Sequence, residues 1–175
     1  MAEWLVHLQR LIDQGGIVML ALMLLSIILW ALIIERFWFI HWDYPKQQLG
    51  ILQQWLARKE YTSWAARSIR QRYLSECDGL LQQRQSTIRN LIALCPLLGL
   101  LGTVTGMISV FDAISMTGNS DAKAMASGIY RATLPTMAGL VLALSALYFS
   151  HRLVQKSKLL TERLAAQLSA TEVTR

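Results

Sequence analysis

Three stretches of this 175-residue chain run without a charged side chain for long enough to cross a membrane. Ile17 to Ile34 reads IVMLALMLLSIILWALII; Asn90 to Phe111 lies between Arg89 and Asp112; Ala132 to Ser150 lies between Arg131 and the His151-Arg152 pair. At a rise of about 1.5 Å per residue, each is of the length that crosses a hydrocarbon layer about 30 Å thick, the first only just. Lipid offers the backbone no hydrogen-bond partner, so such runs are expected as helices.

The composition agrees. Hydrophobic residues make up 54% of the chain and charged ones 16%, too apolar for an ordinary soluble domain, and the charge is crowded between the runs. The first run could be a secretory signal. It exceeds the roughly 7 to 15 apolar residues of such a segment, however, and Glu35-Arg36 follows it in place of a small-residue cleavage site, so a retained span is expected. The second and third runs are rich in Gly, Ala, Ser and Thr and would suit buried helices of a soluble bundle, but the rest of the chain is too small to bury them.

Lysine and arginine set the expected orientation. Nine basic residues fall between Glu35 and Arg89 and five between His151 and Arg175, whereas the stretch before Ile17 has Arg10 and the connection between the later runs has Lys123, with Arg131 at its edge. The positive-inside bias places the middle segment and the tail in the cytoplasm and the N-terminus outside. That bias, together with contact to anionic lipid, accounts for the net charge of +6. Neither a nucleic-acid motif nor a basic stripe interleaved with aromatics is present, so nucleic acid is not an expected partner. Cys77 and Cys95 form no CxxC pair and no ligand cluster, so no metal or cofactor is expected.

Between the runs the pattern is helical. Trp4, Leu5, Leu8, Leu11 and Ile12 share one face of a short interfacial helix that should stop at Gly15-Gly16. Trp30, Phe37, Trp38, Phe39 and Trp42 mark an interface after the first span, and Pro45 is the expected stop. Leu49, Leu52, Leu56, Trp64, Ile69, Tyr73, Leu74, Leu80 and Leu81 form an apolar stripe over two helices broken around Glu60 to Ser63. A further helix runs out of the third span through Leu160, Leu164 and Leu168. One copy leaves much of this stripe uncovered, which predicts self-association.

Inside the second span Gly99 and Thr103 are four apart, as are Gly102 and Gly106, a spacing that lets a neighbouring backbone approach. Pro96 and Pro135 each remove a donor and predict a bend or loosened turn. Thr133 and Thr136 share a face of the third span, close to Gly139. Each hydroxyl either bonds back to its own helix or faces a polar path. No Asp, Glu, Lys or Arg lies within any run, so this chain alone has no group to relay a proton at the bilayer centre. No catalytic triad or phosphate loop appears, and an enzyme is not expected.

The run from Pro96 to Phe111, PLLGLLGTVTGMISVF, resembles the PxxGLxGTVxGM signature of the MotA/TolQ/ExbB proton-channel family. Gly128-Ile129, Ala132 and Thr136-x-x-Gly-Leu140 are similar to its third-span motif, and Gly15-Gly16 and Glu35-Arg36 match around the first span. The resemblance implies a homo-oligomeric ring, usually a pentamer, around the spans of an ExbD- or TolR-like dimer whose membrane Asp carries the proton. It likens Thr103 and Thr136 to pore-lining threonines and implies a TonB-like protein as the recipient of the energy. One departure stands out: Tyr130-Arg131-Ala132 replaces the small-Glu-Ala of many relatives, so a role for that Glu does not carry over. Arg131 either shapes an outer vestibule or snorkels to headgroups. Asp112 is read as a solvated helix-end charge or a point of proton access.

The expectation is therefore an all-α membrane protein with three transmembrane helices, extended cytoplasmic helices and a periplasmic N-terminus. Its segments are an interfacial helix over 1–16, a first span over 17–40, a cytoplasmic helical segment over 41–88, a second span over 89–116, a periplasmic loop over 117–130, a third span over 131–152 and a cytoplasmic helix over 153–175. Short length and the Tyr-Arg variant resemble the ExbB of accessory TonB systems. A TolQ-like envelope motor and a passive membrane scaffold are the alternatives; a MotA-like stator usually has four spans.

Overall fold

The computed structural model describes residues 2–56, 64–117 and 122–173. The elements in it are helical: α1 (Ala2–Trp38), a π-helical stretch (Phe39–Asp43), α2 (Tyr44–Leu56), α3 (Trp64–Gln82), α4 (Gln85–Thr117) and α5 (Ala122–Val173). Three helices are long and apolar enough to cross a membrane, and at most 28% of the most apolar 18-residue stretch of any of them is buried. Leu24, Ile27, Leu100, Val104, Val141 and Leu144 are all exposed along α1, α4 and α5. So much bare apolar surface on three helices requires lipid or further chains around it, and the chain is a multi-pass membrane protein.

The break in the first helix falls at the expected Gly15-Gly16, and several other helix ends differ from the sequence expectation. α1 breaks at Gly16, where φ is 63° and ψ −161°, a left-handed conformation open to glycine, and then resumes. The apolar face expected around Trp4 and Leu8 lies outside the residues whose side chains are described. Pro45 does not end the helix. The turn before it widens instead, so that the Tyr44 N–H reaches back five residues to the Phe39 carbonyl. This relieves the clash that the proline ring would make one turn earlier, and Pro45 then sits in the first turn of α2, where its missing donor is least needed.

The loop expected over 117–130 is shorter than that, because α5 already starts at Ala122. Residues 122–126 read AKAMA, all good helix formers, with no proline before Pro135 to stop them. α5 is one helix to Val173, so the third span and the helix expected to run out of it are continuous. At the other end, α4 begins at Gln85 and not at 89, directly after Arg84, whose φ of 64° turns the chain. Pro96 and Pro135 lie inside helices that continue through them. The break expected around Glu60 to Ser63 lies outside the described residues.

The chain divides into two compact units, residues up to Ala31 with Arg89–Leu147, and Leu32–Ile88 with Tyr148–Arg175. The first is held by small residues, described below. The core of the second is Trp55, Ala66, Cys77, Leu164 and Leu168, ringed by Ile51, Leu52, Ile69, Tyr73 and Leu74. Part of the expected stripe is therefore off the core: Leu49 is 61% exposed and Trp64 83%. Ile51, Leu52 and Trp55 stand three and four apart on one face of α2, and Leu49 lies about half a turn round from Ile51. Trp55, absent from the expected stripe, is completely buried.

Candidate functional site

In the first unit α4 and α5 run antiparallel and meet through glycines. A methyl group added at Gly99 would fall 2.9 Å from the Thr136 Cα; at Gly102, 2.5 Å from the Pro135 Cβ; at Gly106, 2.6 Å from the Ala132 Cβ; at Gly139, 2.6 Å from the Cys95 carbonyl oxygen. As residue numbers rise on α4 they fall on α5, and Gly128 extends the same seam against Val110. At Gly99 and Gly139 the contact is with backbone atoms, closer than any larger residue permits. α1 joins at Gly102, where the added methyl would also lie 3.2 Å from Val18. Without water to drive helices together in lipid, this close dispersion contact is what holds them. Pro135 and Ala132, buried in the seam, were expected only as a bend and as part of a motif.

Thr136 lies in this seam, and Thr103 and Thr133 follow its residues Gly102 and Ala132 in the chain. Thr136 Oγ1 donates to the Gly99 carbonyl across the helix pair, a long bond of 3.4 Å. Thr103, one turn beyond Gly99, donates to its own Leu100 carbonyl at 2.7 Å, and Thr133 to Tyr130 at 2.8 Å. Thr103 and Thr136 are half-buried and Thr133 is exposed. In each case the hydroxyl proton is committed to a carbonyl, which leaves oxygen lone pairs as the group on offer. Thr105 also bonds back, to Leu101 and Gly102, but from another side of the helix, two residues on from Thr103.

Arg131 and Asp112 are both exposed. Ala132 packs on Gly106, so the seam places Arg131 near the level of Gly106, about 9 Å nearer the start of α4 than Asp112. The sequence alone had put both at the outer edge. A long side chain leaning toward the N-terminus of α5 carries the guanidinium back in that direction.

A polar junction in the second unit was not foreseen. α3 ends at Gln82, so its last carbonyls have no partner within the helix. Leu80 O accepts from the Arg36 guanidinium, and Leu81 O from Gln85 Nε2 at 3.0 Å and Ser157 Oγ at 3.4 Å. Gln85 also donates to Ser157 at 3.2 Å. Arg36 is 6% exposed, and its guanidinium lies 4.9 Å from the centre of the Phe39 ring. Glu35 beside it pairs with Arg84 at 2.5 and 2.6 Å, but that pair is solvent-facing and contributes little. The one available signal was the Glu35-Arg36 motif; its partners lie 44 and more residues away. Arg36→Met keeps the stem and strands the Leu80 carbonyl, so it should lower stability by about 1–3 kcal/mol. Denaturation in detergent measures this, and a variant as stable as the parent would show that the carbonyl finds another donor.

Comparison with known proteins bears on both regions. The profile of the MotA/TolQ/ExbB proton channel family matches residues 47–166. The chain is 31% identical to the putative biopolymer transport protein ExbB-like 1 of Synechocystis sp., over 82% of this chain and 70% of that protein. It is 37% identical to the biopolymer transport protein ExbB of Helicobacter pylori, over 39% of this chain and 47% of that one. A putative ExbB homolog of Methanothermobacter thermautotrophicus shares 45% identity over 33% of this chain and 20% of its own length.

Proposed function

Because the chain belongs to the MotA/TolQ/ExbB proton channel family and is most like its ExbB members, we propose that it is the wall-forming subunit of a proton channel in a bacterial inner membrane. In this reading the N-terminus is periplasmic, and the second unit, with most of the basic residues, is cytoplasmic and touches anionic lipid. Copies of the chain form a ring, a pentamer by family resemblance, around an ExbD-like dimer, and proton flow through it energises a TonB-like protein for uptake across the outer membrane.

The observation that carries the reading is the row of hydroxyls beside a glycine seam in spans that hold no carboxylate. A proton needs a titratable carrier, and these spans have none. Hydroxyls whose protons are already given to carbonyls present lone pairs, which accept from a protonated carboxylic acid and suit a partner's neutralised Asp as it crosses. Gly99 and Gly139 hold the wall thin and rigid. Arg131, fixed in charge, attracts anions at the outer side.

Proton flux into liposomes tests this. Vesicles containing the chain and its ExbD-like partner should acidify under an imposed potential, and vesicles containing the chain alone should not. Equal flux from the chain alone would overturn the assignment of the carrier to the partner. Co-purification of a TonB-like protein supports uptake, whereas a TolA-like one would replace that role with envelope maintenance.

A further inference from the structure

A cavity of about 410 Å³ opens in the second unit between the π-helical stretch and α5. Arg152, Lys156, Arg163 and His41 line it together with the apolar Ile40, Leu159 and Leu160, and among the described residues no aspartate or glutamate contributes to it. The three cations are spaced four and seven apart, along one side of α5. Arg163 stands two turns, about 10 Å, beyond Lys156 along the helix.

None of the three makes an ion pair among the described residues. Arg152 Nε and Nη2 donate to the Tyr148 hydroxyl at 3.3 and 3.2 Å, and the Lys156 ammonium lies 4.9 Å from the centre of the Phe37 ring. These contacts orient Arg152 and Lys156 and leave their charge uncompensated. Like charges gathered around one cavity are relieved by an anion within it.

The place of the cavity selects the anion. Arg152 follows the apolar run that ends at Ser150, and His41 follows that of α1, where Trp38 and Trp42 are each 61% exposed. Exposed tryptophans of this kind sit at headgroup level. We infer that the cavity binds the phosphate head of an anionic glycerophospholipid, with Arg152 and Lys156 on the phosphate and Ile40 and Leu160 against the glycerol and first acyl carbons. The apolar part of the lining gives a lipid an advantage that a free phosphate ion does not use. This site rests on the membrane placement proposed above and not on proton conduction, so the two readings fail separately.

The test measures lipid retained by the full chain in neutral detergent, by native mass spectrometry, with phosphatidylglycerol as probe, phosphatidylcholine as control and inorganic phosphate as competitor. Phosphatidylglycerol should bind, and Arg152→Gln/Lys156→Gln/Arg163→Gln should weaken it by about tenfold or more. Lys46→Gln/Arg67→Gln/Arg72→Gln removes as much charge from exposed positions elsewhere in the unit and should change retention by less than about twofold. Arg152→Lys/Arg163→Lys keeps the charge and should keep the lipid, which separates loss of a site from loss of folding. Equal binding of phosphatidylcholine, equal loss in both glutamine variants, or displacement by equimolar phosphate would each overturn the inference. So would displacement by an equimolar acidic peptide, which would make the cavity a docking point for protein.

Discussion

Thr103→Val with Thr136→Val should abolish proton-driven uptake, with a rate loss of at least about tenfold, while the protein still assembles. Valine copies the shape of threonine and deletes only the hydroxyl, so the helix seam keeps its fit. The carbonyls left behind, Leu100 and Gly99, lie in the interior of α4 and keep their intrahelical donors, so neither becomes a buried orphan. Stability should therefore fall by no more than about 1 kcal/mol. What disappears is a pair of acceptors in an apolar setting. A protonated carboxyl crossing there without them faces an unmet hydrogen bond of about 1–3 kcal/mol, and 1.4 kcal/mol is a factor of ten in rate. Thr105→Val serves as the control, since its hydroxyl bonds to Leu101 and Gly102 on another side of α4. Uptake driven by the proton gradient, with native gels to follow assembly, measures the effect. Unchanged uptake in the double variant would sink the pore assignment, and the threonines would then be packing residues of a membrane scaffold.

Gly139→Leu should be the most damaging single change to the fold. The first added carbon already falls 2.6 Å from the Cys95 carbonyl oxygen and 3.4 Å from the Gly99 Cα, both parts of a helix backbone that cannot swing aside. Gly139→Ala alone should cost about 1–2 kcal/mol, overpacking having outweighed the better helix propensity of alanine. Leucine adds three more carbons to the same gap and should cost about 3 kcal/mol or part the helices. Gly79→Ala in α3 is the matched control: nothing lies within 4 Å of the added methyl, so only propensity acts, and stability should rise by up to about 1 kcal/mol. Thermal unfolding in detergent, followed by circular dichroism, ranks the three. A Gly139→Leu protein as stable as the parent would mean that α4 and α5 are held mainly by something other than this seam.

Much of the architecture could be read before any coordinates. Charge-free runs identified the three apolar helices, and the second-span signature identified the family. The errors were local. Pro45 reads as a stop because proline usually is one; the π-helical turn that absorbs it depends on five residues that carry no mark of it. Residues 122–130 read as a loop because Gly128 and the polar 118–121 stretch obscured the helix formers after Ala122. Trp55 does not stand out from Leu49 and Leu56 in the sequence, since three or four apolar positions on a short helix define its buried face only through its neighbours.

What the sequence determined by itself is therefore the three apolar helices, the lack of a charged residue within the three runs, and the kinship. Each of these follows from a constraint that acts residue by residue: lipid forbids an unpaired backbone and disfavours charge, and both leave a local trace. The tertiary structure alone decided the rest. It pairs Gly139 with Cys95 and Gly99 with Thr136, draws Arg131 inward of Asp112, and brings Arg36 to the end of α3. Those pairings join residues from about 25 to 45 positions apart, and small residues and a lone arginine do not announce which distant backbone they will meet. Close packing settles that choice, because only one register of α4 against α5 puts a glycine wherever the two backbones touch.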